Sequence, residues 1–139
     1  MASNAGLVLL TDGRSSVGLH PPLPYPDGSG FHHQVDLIAP PFHGAIEASS
    51  YGSLRVLRPF REQLIKLYDA LEGEARLPET YDNLQLRLRG DRRGHIAIEV
   101  AARGERIGDC LTFSFAIDQT QLLAIIDGIE RFLKNATET

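Results

Sequence analysis

The residues best equipped for chemistry gather in the first half of the chain. His20, His32, His33 and His43, with Asp36 and Glu47 among them, are the nitrogen and oxygen donors from which a metal site or an acid–base pair is built. Their spacing argues against one shared ion. His32 and His33 are neighbours, and successive side chains of a strand point to opposite faces, so both reach one metal only if the backbone is distorted. Nor does any histidine spacing match a helical ligand pair. Solvated or hydrogen-bonded histidines are the expectation, with no metal and no cofactor. A small metal-dependent hydrolase using these histidines is the alternative.

Other routes to catalysis lack a pattern. Ser15, Ser16, Ser49 and Ser50 supply the residue type for a Ser–His–acid relay, but nothing resembles the sharp turn that presents a nucleophilic serine. Cys110, beside Leu111 and Phe113, reads as a small packing residue, because Asp109 and Arg106 do not make the basic setting that stabilises a thiolate. Glu99 alternates with Ile98 and Val100 and falls on a wet strand face. Arg87, Arg89, Arg92, Arg93, Arg103 and Arg106 lack the interleaved aromatics that stack bases, and read as solvated charge along sheet edges. Asp12-Gly13 and Asp27-Gly28 are turn signals rather than phosphate cradles. No catalytic residue is assigned.

What remains is binding. The 139 residues form one domain, 1–139, of a size that needs no staples, and one cysteine excludes an internal disulfide. A net charge of −4 and a pI near 5.7 give counterion release little to work with, so a nucleic-acid ligand is disfavoured. No run approaches a membrane span and Met1 to Leu10 has no export signature, which makes the cytoplasm the expected compartment. Acid is concentrated at Glu72, Glu74, Glu79 and Asp82, a patch suited to steering a basic protein partner or an ordinary solvated loop. Tyr25, Phe31, Phe42 and Tyr51 are either exposed anchors for that partner or core. A homo-oligomer joined by a sheet edge or apolar face is a further reading.

Two helices and several strands must position these groups. Phe60, Leu64, Leu67, Tyr68 and Leu71 recur at helical spacing, which predicts a helix near 57–72 with Pro59 in its first turn and Gly73 as its stop. Leu122, Ile125, Ile126, Ile129 and Leu133 predict a second near 119–134, capped by Asp118. Between them Leu84–Leu88, Ile96–Val100 and Leu111–Ile117 alternate and predict a three-strand meander. Weaker strands are read near Leu7–Leu10, Phe31–Ile38 and Phe42–Ala48, with Pro21–Gly30 as a long surface loop. The fold class is α+β: a curved or sandwich-like antiparallel sheet covered by two helices.

An ordered series of fragments carries a resemblance. Phe60-Arg61-Glu62-Gln63-Leu64 leads to Leu71-Glu72-Gly73-Glu74-Ala75-Arg76-Leu77, then Gly94-His95-Ile96-Ala97-Ile98-Glu99-Val100, then Leu111-Thr112-Phe113-Ser114-Phe115 and Asp118-Gln119-Thr120. From Leu54 to Leu133 the chain resembles the WapI-type immunity proteins of bacteria. The resemblance implies a cytoplasmic antidote that binds a cognate toxin domain. Read physically, the same positions are scaffold: Gly73 and Gly94 at bends, His95 beside one of them, Asp118, Gln119 and Thr120 at a helix start.

Overall fold

The computed structural model describes residues 7–51, 57–77, 81–104 and 109–137. The chain follows one plan twice. The strands β1 (Val8–Thr11), β2 (Ser16–Leu19), β3 (Leu23–Pro24), β4 (Gly30–Ala39) and β5 (Phe42–Tyr51) lead to α1 (Arg58–Ala70). Then β6 (Glu72–Arg76), β7 (Tyr81–Asp82), β8 (Leu84–Asp91), β9 (His95–Arg103) and β10 (Cys110–Asp118) lead to α2 (Gln119–Thr137). The first sheet has the order β1-β2-β4-β5-β7 with β3 beside β4, and the second the order β10-β9-β8-β6. All pairs are antiparallel. The α+β reading with two helices and antiparallel sheets holds, and the structure resolves it into two sheets.

One core joins them. Val35 and Leu37 of β4, Leu86 and Leu88 of β8, Ile96 and Ile98 of β9, and the stripes Phe60, Leu64, Leu67 and Leu122, Ile125, Ile129 of the helices are all buried in a single cluster. Phe31 belongs to it at 1% exposure, which removes it from the set of surface anchors. Its strand parity decides this, since Phe31, His33, Val35 and Leu37 share the inward face of β4.

The expected meander has a fourth strand. Glu72–Arg76 pairs with β8 in the register Glu74↔Arg89 and Ala75↔Leu88. As an edge strand it sends only Ala75 fully inward, so no apolar alternation announced it. Accordingly α1 ends before Gly73: Leu71 takes the left-handed conformation (φ 61°) and its N–H donates to the Leu67 carbonyl at 2.9 Å. Gly73 (φ 103°) instead lies inside β6, opposite Gly90. The carbonyl of Leu71 then accepts the Arg92 N–H at 2.7 Å. The expected loop Pro21–Gly30 contains the short β3, held by Leu23↔His32 and Pro24↔Phe31.

At the head of α2 the Gln121 side chain accepts the Asp118 N–H at 2.8 Å, the reaching-back half of a capping box. Gln119 ties three elements: its N–H donates to the Gly94 carbonyl at 2.9 Å and its side-chain amide to the Tyr68 carbonyl at 2.9 Å. Arg61 reaches Glu130 at 2.6 Å, linking the helices at the surface.

The junction between α1 and β8 leaves no room for a side chain at Gly90, where a Cβ would stand 2.3 Å from the Leu71 carbonyl oxygen. Gly90→Ala is expected to lower stability in urea unfolding by about 2–3 kcal/mol, as overpacking against backbone does. Gly44→Ala, which meets nothing within 4 Å, is expected to change it by less than about 0.5 kcal/mol. Equal effects would mean the junction yields.

Candidate protein-interaction surface

With both inner faces in the core, functional groups must lie on the outer faces. On the first sheet the register sets them in rows. Leu9, Gly18, Asp36 and Ala45 form one row, Ser16, Ile38 and His43 the next, and Leu23, His32, Ser49 and Asp82 a third. Leu9, Leu23 and Ile38 stand 50%, 57% and 43% exposed on this one face. Of the described large apolar side chains this exposed, only Phe42 and Leu123 lie elsewhere.

Polar groups on the same face are organised around histidine–carboxylate pairs. His20 Nε2 lies 2.7 Å from Asp36, which also accepts from the Gln34 amide at 2.8 Å. Burial pushes the Asp36 carboxyl up, but the bonds from Gln34 and His20 outweigh it and hold the group below its ordinary value. His32 Nδ1 meets Glu47, and the Tyr25 ring stacks on His32 with centroids 5.1 Å apart. Tyr25, His32, Glu47 and Ser49, with Asn83 and Arg103, line a cleft of about 400 Å³. Asp82 stands exposed beside it.

The outer face of the second sheet is different in kind. Glu74 receives Arg87 at 2.6 Å and Arg76 at 3.2 Å, Arg89 reaches Glu99 at 2.8 Å, and Arg92 meets Glu72. The Arg87 hydrogen bond, aided by the charges of Arg76 and Arg89, holds the Glu74 carboxyl below its usual range. The expected acidic patch at Glu72 and Glu74 is therefore matched by arginine, with Arg87, Arg89 and Arg92 among the arginines read as solvated edge charge serving as partners. Cross-strand register explains this, since Glu74 faces Arg89 and Glu99 faces Arg87.

His32 and His33 part as strand geometry requires. His33 is fully buried, with Nδ1 donating to the His20 carbonyl at 3.0 Å and the Tyr81 hydroxyl donating to Nε2 at 2.5 Å. The rings of Phe31, Tyr81 and Phe132 surround it with centroids 6.0, 5.7 and 5.3 Å away. Burial drives its pKa down to about 4 and pushes the Tyr81 hydroxyl up. Among the described residues no group of three or more His, Cys, Asp or Glu side chains is placed to hold a metal, and no serine hydroxyl bonds a histidine.

The structure thus brings Tyr25 and Asp82 to one face and leaves Glu72 and Glu74 on another. Glu79 and the side chain of Tyr51 lie outside the described residues. Cys110 is exposed rather than packed, because parity places it with Thr112 and Ser114 on the outer face. Sequence reasoning passed over Leu9, Leu23 and Ile38, although a leucine or isoleucine at the wet position of an alternating strand is a readable signal. Gly94 (φ 95°) ends the β8–β9 turn and His95 opens β9, where Asp91 accepts the His95 N–H at 3.1 Å and contacts its ring at 3.0 Å.

The model of the WapI-like immunity protein family matches residues 20–137, and the chain belongs to that family. The match begins at residue 20, well ahead of Phe60, where the first recognisable fragment starts. No curated protein matches the chain. Among solved structures, the crystal structure of WHY3 from Arabidopsis thaliana is similar over 94% of this chain and 88% of that one, with a TM-score of 0.53 and 6% identity. That likeness is one of fold. No helix among the described residues is long and apolar enough to cross a membrane.

Because His33 binds its proton more weakly when folded than when free, the unfolded chain holds more protons between about pH 6.5 and pH 4. Stability is expected to fall as pH drops through that window, by a total on the order of 3 kcal/mol. Urea unfolding at stepped pH checks it, and a His33→Gln variant should lose this slope. An unchanged slope in the variant would assign it to other groups.

Proposed function

We propose that the chain is an immunity protein that neutralises a toxin in the cytoplasm by binding it, with the outer face of the first sheet as the contact surface. The observation carrying this reading is the concentration of exposed Leu9, Leu23 and Ile38 on one face that also bears Asp36, Glu47 and Asp82. Protein interfaces need desolvated apolar anchors inside a polar rim, and this face has both. Its carboxylates suit a basic toxin domain and would speed encounter with one. Tyr25, already fixed by its stack on His32, adds an aromatic anchor with little ordering cost. The second sheet's outer face, where arginine and glutamate satisfy each other, offers a partner less. Family membership supports the immunity role, and binding rather than catalysis fits the engagement of His20, His32, His33 and His95 by neighbouring groups.

Co-expression with the toxin domain encoded beside this chain tests the reading. Growth rescue and a one-to-one complex are expected. A Leu23→Arg/Ile38→Arg variant, altered only at exposed positions, should keep its circular dichroism and melting temperature while losing rescue and at least 100-fold in affinity, the scale of about 2.7 kcal/mol or more. An Arg89→Ala/Glu99→Ala variant should still rescue. The reverse pattern would move the interface to the second sheet, and an absence of rescue by the unaltered chain would reject the function.

A further inference from the structure

The sheet ends differ in how they are guarded. Strand β1 has four residues, β6 has five and carries Glu72, Glu74 and Arg76, and β7 covers the end of β5 with two. Beside β7 the Asn83 amide donates to the Glu47 carbonyl at 3.1 Å, occupying a further edge group of β5. Short length, charge and side-chain cover are the usual means of preventing strand-to-strand association. Strand β10 has none of them. It is nine residues long, contains no proline and no charge before Asp118, and no strand among the described residues pairs with its outer side.

Its residues are also self-complementary. On either side of Ser114 stand Phe113 and Phe115, then Thr112 and Ala116, then Leu111 and Ile117. We propose that β10 pairs antiparallel with β10 of a second copy about a two-fold axis at Ser114, joining two second sheets into one. In that register each Phe113 faces Phe115 of the other copy and each Leu111 faces Ile117. All four lie on the inward face, where Phe113 already stacks on Phe115 with centroids 6.1 Å apart. Leu111 and Phe113 are only partly buried in one chain, and the second copy supplies the missing cover. On the outer face serine meets serine and threonine meets alanine, so no like charges oppose one another. A closed two-fold pairing uses up both edges and stops growth.

Sedimentation equilibrium across the micromolar range is expected to give twice the 15.3 kDa mass of one chain. Ser114→Lys, at an exposed position that places two cations opposite each other in the pair, should halve that mass while leaving the melting of the monomer cooperative. In a Cys110→Ser background, Ser114→Cys should form a reducible crosslink between copies on mild oxidation. A monomeric mass for the unaltered chain would overturn the proposal. So would a dimer that survives Ser114→Lys and fails to crosslink through Ser114→Cys.

Discussion

A single hydrophobic core claims the inward face of both sheets, and this constraint determines what else the molecule has to offer. Strand side chains alternate, so every residue given to the core fixes its neighbour on the outside. His33 and His32 show the rule at its sharpest. His33 is enclosed by three aromatic rings and kept neutral by burial, while the residue before it pairs with Glu47 on the surface and carries the stacked Tyr25. The buried imidazole in turn holds β4 to Tyr81 of β7 and to the backbone after β2, joining parts of the first sheet that are far apart in sequence.

Given that constraint, the two outer faces have taken different solutions. On the second sheet arginines and glutamates stand opposite one another across neighbouring strands. Exposed pairs of this sort contribute little stability each, about 0–1 kcal/mol, yet they fill the face with groups that a partner must desolvate. The first sheet has Gly18 and Ala45 at its centre, leucine and isoleucine around them, and carboxylates between. Leu9, Leu23 and Ile38 stand half exposed there, and a partner that covers them gains at the ordinary rate of apolar burial.

How much of this was legible depended on whether a segment lies between two environments or at an edge. The strands from Leu84 to Ile117 and both helices were readable because each has one wet and one buried side, and period-two or helical spacing follows directly. Strand β6 was not, since an edge strand with Ala75 as its one fully buried residue has no alternation to read. The same blindness placed the end of α1 at Gly73, where glycine is the usual stop. Leu71 took the left-handed conformation instead, because the chain had to enter β6 at Glu72. For the surface, charge identity was visible but pairing was not. Glu72 and Glu74 look like an acidic patch until Arg87 of β8 and Arg92 of the turn after it are brought over by the fold to join Arg76 of the same strand. Phe31 stayed open between anchor and core for a different reason, since an aromatic residue in a weakly patterned segment does not declare which face it takes.

Leu71, Gly94 and Gln119, from three of the recognisable fragments, turn out to be joints. Gly94 offers its carbonyl to Gln119, Gln119 binds the carbonyl of Tyr68 near the end of α1, and Gly90 makes way for Leu71. At Gly90 a Cβ would press on the Leu71 carbonyl, and at Gly94 the positive φ disfavours other side chains, so a change at either strains the junction it belongs to. Outer-face residues of the first sheet, Leu23 and Ile38 among them, are under no such demand and can be set by what they touch. On the proposed reading, a contact face separate from the joints lets the scaffold take a new partner without being refolded, which suits an antidote matched to one toxin among many.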